Sequence, residues 1–457
     1  MPERLVVVGG DAAGMSAASQ ARRMRGPDDL EIIAFERGSY TSYSACGIPY
    51  YIGGTVDDFD RLIARSPERF REKQHIDVRI RHEVLSIDVD ACKVHVRDLD
   101  NEREFDEGFD QLLVATGARP IRPPLENSDA EGIFGVQTLG DGEAIRALIE
   151  RDRPRRAVVV GGGYIGIEMA EAFVLRNMSV SLIEKAPAPM STLDPDMGEL
   201  VAAAMQGEGI VLHCDEAVEG FEAKDGRVSA VVTDKRTIET DLVVLGLGAR
   251  PNSELAKEAG IAIGTSNAIT VDRRMRTGVE GIWAAGDCAE KFHRVSRKPV
   301  AIALGTHANK EGRTAGINIA GGYETFPGVI GTAVTKVCSL EVARTGLKEQ
   351  EAREAGFEYV TATVDSTTRA GYFPGAAPIK TKMIAEKRSG KLLGAQIIGR
   401  EGAAKRVDVI AAALWNEMTV DDMLQMDLSY APPFAPVWDP VLITARKTWQ
   451  KVEEDLA

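Results

Sequence analysis

Apolar residues along this chain fall into short continuous runs, each stopped by glycine, and the order of runs repeats. Leu5-Val-Val-Val8 enters Gly9-Gly10 almost at the start of the sequence. A short β-branched run without polar alternation predicts a strand buried on both faces, as in a parallel sheet. Residues 15–24 then predict a helix, and Leu30-Glu-Ile-Ile-Ala-Phe-Glu36 a second strand ending in an acid. The same succession returns from Arg156: Ala157-Val-Val-Val160, a glycine turn, a helix over 167–176, and Ser179-Val-Ser-Leu-Ile-Glu184. Arg4–Met15 is thus answered by Arg156–Ile167. Each unit closes on a similar strand-to-turn exit, Leu112-Leu-Val-Ala-Thr-Gly-Ala-Arg-Pro120 against Leu242-Val-Val-Leu-Gly-Leu-Gly-Ala-Arg-Pro251, and Thr277–Asp287 adds an apolar strand ending in Gly-Asp. The pattern predicts an α/β chain with two similar units.

The chemistry of the turns says what such units hold. Gly161, Gly163 and Gly166 match G-x-G-x-x-G, a turn that aims backbone N–H groups and the positive end of a helix at a pyrophosphate. Tyr164 and Ile165 sit inside that turn. Glu184, at the end of the next strand, is placed to bind an adenosine ribose, which favours NADH over NADPH, although Lys185 adjoins it. The first turn keeps Gly9, Gly10, Ala13 and Gly14 but carries Asp11 in the middle position, so its carboxylate must point away or be compensated. Glu36, with Arg37 beside it, is the ribose ligand expected there. Ala115, Thr116 and Gly117 in one exit and Gly248 in the other are expected against the nucleotides, and Asp287 against a ribityl chain, marking a flavin. Two Rossmann-like domains, one for FAD and one for NAD(P)H, follow from these residues.

Length and charge narrow the field. A chain of 457 residues exceeds what one core supports, so two or three domains are expected. A net charge of −14, with no basic run interleaved with aromatics, excludes nucleic acid as a partner. No apolar stretch approaches the roughly 18–20 residues that span a bilayer, and the first strand starts too early to leave room for a signal peptide, so a cytoplasmic protein is expected. The 5 cysteines are scattered, which fits a reducing compartment and not a disulfide framework. The 6 histidines show no metal-ligand spacing, and no metal is expected. His307 opens a helix-like segment and is taken as structural.

Cys46 is the residue that points to a reaction. It lies in Thr41-Ser-Tyr-Ser-Ala-Cys-Gly-Ile-Pro-Tyr50, just downstream of the first glycine turn, and the next cysteine is Cys92. An internal dithiol pair is therefore missing, and any disulfide at Cys46 must form with a group that comes and goes. The competing reading is a buried inert thiol. Cys288 is expected as buried packing, and Cys92, Cys214 and Cys338, in strand-like runs, carry no assigned role.

With these residues in view, the whole chain resembles the pyridine nucleotide-disulfide oxidoreductases. Ser42-Tyr-Ser-Ala-Cys-Gly-Ile-Pro-Tyr50 matches the S-[FY]-x-x-C-G-x-P-Y motif of their single-cysteine branch, which holds coenzyme A-disulfide reductases, NADH oxidases and peroxidases, and persulfide or polysulfide reductases. The resemblance implies an FAD domain split between 1–115 and 246–325, an NAD(P) domain at 116–245, and a C-terminal α+β dimerisation domain from 326 to 457. It also implies a homodimer in which Tyr372 and Tyr430 of one subunit approach the active site of the other. Gln20, Arg23, Ser42 and Lys73 would meet a small thiol or disulfide, coenzyme A above all. Three departures accompany it. Asp11-Ala12-Ala13 replaces the loop histidine of the peroxidases, Ala45 stands where coenzyme A-binding relatives often have Asn, and Gln74 follows Lys73 where a basic residue is expected.

The activity implied is reduction of coenzyme A disulfide, or a related disulfide, persulfide or polysulfide, by NAD(P)H through FAD and Cys46. The alternative is an NADH oxidase in which Cys46 cycles as a sulfenic acid. A third reading, from another class, is a flavoprotein that senses redox state with negligible turnover.

Overall fold

The computed structural model describes residues 2–456. Its first sheet has five parallel strands in the order Ile282–Ala284, Gln111–Val114, Glu3–Val8, Leu30–Glu36 and Asp77–Ile80. The second has the matching order Ile133–Phe134, Leu242–Leu245, Arg156–Val160, Ser179–Ile183 and Val211–His213, again all parallel. The echo in the sequence is therefore an echo in topology. Leu5, Val6, Val7, Val158 and Val159 are all but inaccessible to solvent, as strands covered on both faces require.

The two units differ in where the outer strand comes from. In the second sheet Ile133–Phe134 precedes the glycine turn, whereas in the first Ile282–Ala284 arrives after the whole second unit has been made. A short antiparallel pair, Ala118–Pro120 with Ala249–Pro251, joins the outgoing and returning chains. A three-stranded antiparallel meander also sits before the closing strand of each unit, His82–Asp88, Lys93–Asp98, Arg103–Gly108 in one and Val218–Lys224, Arg227–Thr233, Thr237–Glu239 in the other.

Both helices after the glycine turns begin earlier than their apolar pattern predicts. They span Ala12–Met24 and Tyr164–Leu175, so the glycine turns run straight into the first helical residues. The close approach explains the glycines: a Cβ on Gly14 would lie 2.0 Å from the Gly9 carbonyl oxygen, and one on Gly166 1.9 Å from that of Gly161.

The C-terminal part is a five-stranded antiparallel sheet in the order Ala333–Val337, Leu340–Gly346, Leu392–Gly399, Pro378–Glu386, Tyr359–Thr367, backed by the helices Val407–Trp415 and Pro440–Leu456. One hydrophobic cluster crosses all three parts, joining Ile48, Ile52 and Leu62 near Cys46 to Val159 and Ile167 of the second unit and to Val337, Val342 and Ile398 of the C-terminal sheet. The strand-like placement of three cysteines needs correction. Cys92 (φ +50°) and Cys338 (φ +54°) occupy hairpin turns, where a left-handed residue is needed to reverse the chain, and Cys214 follows the end of its strand. Among the described residues no helix is long and apolar enough to cross a membrane.

Candidate active site

The second strand of each unit delivers its acid in the same way. Glu36 accepts from the Gly10 N–H at 2.8 Å with one oxygen and from the Gly38 N–H at 2.7 Å with the other. Glu184 accepts from Gly162 at 2.7 Å and Ala186 at 2.8 Å. Each carboxylate is thus fixed against its glycine turn, at the end of the sheet where an adenosine ribose is bound in such folds. Arg37 beside Glu36 is exposed. Gly9 (φ +114°) and Gly161 (φ +100°) make the turns themselves, and a Cβ there would lie 2.2 Å and 2.5 Å from the carbonyl oxygens of Ala115 and Gly246. Ala115 is tied back by its N–H to the Val8 carbonyl at 2.8 Å, and the Thr116 hydroxyl donates to the Asn252 carbonyl at 2.5 Å. Gly117 (φ +66°) and Gly248 (φ +89°) reverse the two exits.

Asp11 is neither swung away nor idle. Its carboxylate accepts the Tyr43 N–H at 3.1 Å, while the Ser42 N–H (3.1 Å) and the Thr41 hydroxyl both donate to the Gly10 carbonyl. The segment leading to Cys46 therefore hangs on the first glycine turn. Burial, with repulsion from Glu36 and Asp287, pushes the Asp11 carboxyl up to about 6. Cys46 lies on a single turn, Ala45–Gly47, with part of its surface open to solvent and its sulfur partly enclosed by protein. The protein packed around it, then the carboxylates of Glu168 and Asp287, push its thiol above the ordinary value. The side chains present thus disfavour the Cys46 thiolate.

Asp287 follows the late-arriving strand. Its Oδ1 is buried with no hydrogen-bond partner, and burial raises its carboxyl. An orphaned acceptor of this kind beside a glycine turn fits the hydroxyls of a ribityl chain, and Glu36 fits the ribose at the other end of the same dinucleotide. In the second unit Tyr164, the first residue of its helix, packs against the cluster that contains Ile48, and burial raises its phenol. Ile165 is exposed. The loop beside this turn is gripped by the C-terminal part: Lys382, its side chain only 5 % exposed, lies 3.2 Å from Asp194, 2.7 Å from Asp196 and 2.6 Å from Glu349. Arg344 and Lys348 donate to the carbonyls of Thr192 and Ser191.

A pocket of about 310 Å³ opens between the helices Ala12–Met24 and Gly305–Ile319, with Ser16, Gln20, Arg23, Ser42, Arg65 and Arg313 on its wall. Three of the four proposed substrate residues meet there. Lys73 does not: it is exposed on the last turn of the helix Pro67–Gln74 and lines no part of this pocket, whose cationic places are taken by Arg23, Arg65 and Arg313. Arg65 and Arg313 were not legible because each sits in a segment with no motif of its own. Glu168, on the helix Tyr164–Leu175, accepts from Thr335 and acts on Cys46 through its charge; it too sits outside any motif.

Tyr372 and Tyr430 lie on neighbouring loops, joined where the Ala370 N–H donates to the Pro432 carbonyl. The two hydroxyls interact, which raises Tyr430. Both are exposed, as are Phe434, Val437 and Trp438 beside them. Neither tyrosine is among the groups acting on Cys46 of the same chain.

The chain has counterparts among known proteins over nearly its whole length. The NAD(P)H sulfur oxidoreductase (CoA-dependent) of Pyrococcus abyssi is 40% identical over 443 residues, 97% of each chain. An NADH oxidase of Methanocaldococcus jannaschii is 36% identical over 98% of this chain and 99% of its own. The crystal structure of reduced Bacillus anthracis CoADR-RHD superposes with a TM-score of 0.96 at 35% identity, covering 99% of this chain and 81% of that one. Residues 332–440 match the dimerisation domain of the pyridine nucleotide-disulphide oxidoreductases, and residues 3–312 their FAD- and NAD(P)H-dependent main part. The chain belongs to the pyridine nucleotide-disulphide oxidoreductase family.

Proposed function

We propose that this protein reduces coenzyme A disulfide, or a related small disulfide, persulfide or polysulfide, with NADH as donor and Cys46 as the single redox-active thiol. The observation that carries the reading is Cys46 itself, exposed on a turn laced to the first glycine loop, with an arginine-lined pocket reached through Ser42. In this reading residues 1–115 and 246–325 hold FAD through Gly9, Gly14, Glu36 and Asp287. Residues 116–245 hold the nicotinamide dinucleotide through Gly161, Gly166 and Glu184, and residues 326–457 form a homodimer.

Bound flavin supplies the electron path from the nicotinamide to a disulfide at Cys46. The chain's own residues do the rest. Arg23, Arg65 and Arg313 hold the phosphates of the thiol moiety in the pocket, and Gln20 and Ser42 orient its amides. Two electrons split the mixed disulfide Cys46–S–S–R, giving the Cys46 thiolate and, with one proton, RSH. The thiolate attacks RS–SR, expels RS⁻ and restores the mixed disulfide, so that each NADH and proton yield two RSH. Tyr430, with Tyr372, protonates the departing thiolate from the partner subunit. Tyr164 covers the inner face of the nicotinamide site until the dinucleotide arrives. Glu184 favours NADH, and NADPH is the poorer donor.

The M. jannaschii relative named as an NADH oxidase favours a second reading, oxygen reduction with Cys46 passing through a sulfenic acid. Anaerobic NADH consumption with coenzyme A disulfide, followed by the same assay in air without disulfide, separates the two. Fast anaerobic turnover with thiol release supports the disulfide reductase. Consumption only in air overturns it.

A further inference from the structure

Behind the first glycine turn lies a pair of charges that the reaction above does not use. Lys291 and Glu311 have side chains 1 % and 0 % exposed, with Nζ 3.4 Å from Oε1. The Lys291 ammonium donates to the carbonyls of Gly286 and Ala289, each at 2.9 Å, and Glu311 Oε2 accepts the Gly286 N–H at 2.8 Å. Every one of these bonds closes on the turn that carries Asp287. That turn is also pressed against the glycine loop, since a Cβ on Gly286 would lie 2.8 Å from the Ala13 Cβ. Glu311 sits on the helix Gly305–Ile319, which meets the helix Ala12–Met24 backbone to backbone: a Cβ on Gly312 would fall 2.2 Å from the Ala13 carbonyl oxygen.

A buried ion pair is a poor way to gain stability, because desolvating two charges offsets their attraction, and apolar residues of similar volume serve as well. Two buried polar atoms without hydrogen-bond partners belong to groups that feel the Lys291 charge: Asp287 Oδ1 and His307 Nδ1. We infer that Lys291 and Glu311 are positioning residues for the flavin, holding the Asp287 turn and setting the charge that the bound flavin experiences. The inference rests on the assignment of Asp287 to the flavin. Burial pushes the Glu311 carboxyl up to about 7 against the pull of Lys291.

The test is the midpoint potential, measured at a pH well above the Glu311 value so that its carboxylate is charged, and the FAD dissociation constant of the purified holoprotein. Glu311→Gln keeps an acceptor for the Gly286 N–H and removes the negative charge. Since flavin gains negative charge on reduction, the uncompensated Lys291 ammonium shifts the potential to more positive values. Lys291→Met combined with Glu311→Gln restores neutrality and returns the potential toward that of the unaltered protein, while weakening FAD retention because the carbonyls of Gly286 and Ala289 lose their donor. An unchanged or more negative potential in Glu311→Gln overturns the inference, as a purely structural pair would not move it. Should Glu311→Gln fail to hold FAD, the double variant decides: unaltered FAD affinity there overturns the proposal, and weaker affinity supports it. Asp287→Ala is the separate control. Unchanged FAD affinity in that variant removes the assignment of Asp287, whereas a potential shift in Glu311→Gln stands on its own.

Discussion

Asp11→Asn is the sharpest perturbation the fold offers. Asp11 occupies the place that Gly163 takes in the second turn, and both residues are extended, at φ −115°, ψ −150° and φ −78°, ψ −176°. Any side chain adopts that backbone, so the aspartate meets no steric objection; its difficulty is charge. Burial first, then the carboxylates of Glu36 and Asp287, raise it from 3.8 to about 6. A shift of roughly two units corresponds to about 3 kcal/mol between the two protonation states. The folded protein binds this proton more tightly than the unfolded chain, so stability falls as pH rises between the two values and the full penalty persists above about 6. Asparagine keeps an acceptor for the Tyr43 N–H and has nothing to ionise. The variant's melting temperature should exceed that of the unaltered protein well above the Asp11 value, and the two should converge in acid. Differential scanning fluorimetry of FAD-free protein across that range reads it, with melting temperature preferred to a two-state free energy because the chain has several domains. An Asn variant that is no more stable at alkaline pH, or that is shifted equally at every pH, refutes the reasoning.

Cys46→Ser should leave FAD bound and reducible by NADH but abolish disulfide turnover, read by flavin absorbance and thiol release; surviving turnover sinks the proposed mechanism. Glu184→Ala should raise KM for NADH about tenfold or more, the worth of a hydrogen bond to a charged group, and narrow the preference over NADPH. An unchanged preference would mean the ribose lies elsewhere. Lys382→Met removes the cation shared by Asp194, Asp196 and Glu349 and should lower stability by about 1–3 kcal/mol, since Asp194 keeps its bonds from Gln396 and the Glu349 N–H, seen as a lower melting temperature with a raised KM for NADH. Tyr430→Phe should slow disulfide turnover and spare flavin reduction in the absence of disulfide, as stopped-flow traces would separate.

The paired strands, glycine turns and the acids that close each second strand are legible because each is local: a β-branched run, a close approach that only glycine permits, and a carboxylate at the strand's end. The helix starts were misjudged by about a turn because periodicity begins only after the turn has bound its carbonyls, and Asp11 and Gly163 mark the true boundary. Lys73 lies away from the arginine-lined pocket because the resemblance places it by sequence position, whereas the pocket brings residues together across the fold. The same holds for Lys291 with Glu311 and for Lys382 with Asp194, whose partners come from distant elements, so nothing at either position alone announces them. The Lys291–Glu311 pair lies where the two units stop being copies, while Lys382 joins the second unit to the C-terminal sheet. The second sheet takes its outer strand, Ile133–Phe134, from before the glycine turn, while the first waits for Ile282–Ala284 and receives Asp287, Lys291 and the helix bearing Glu311 with it. A duplicated glycine turn offers the same backbone N–H groups in either unit. What sets the first unit apart arrives with the late strand, which is why, in the function proposed, its flavin-directed groups are written in segments far from its own fingerprint.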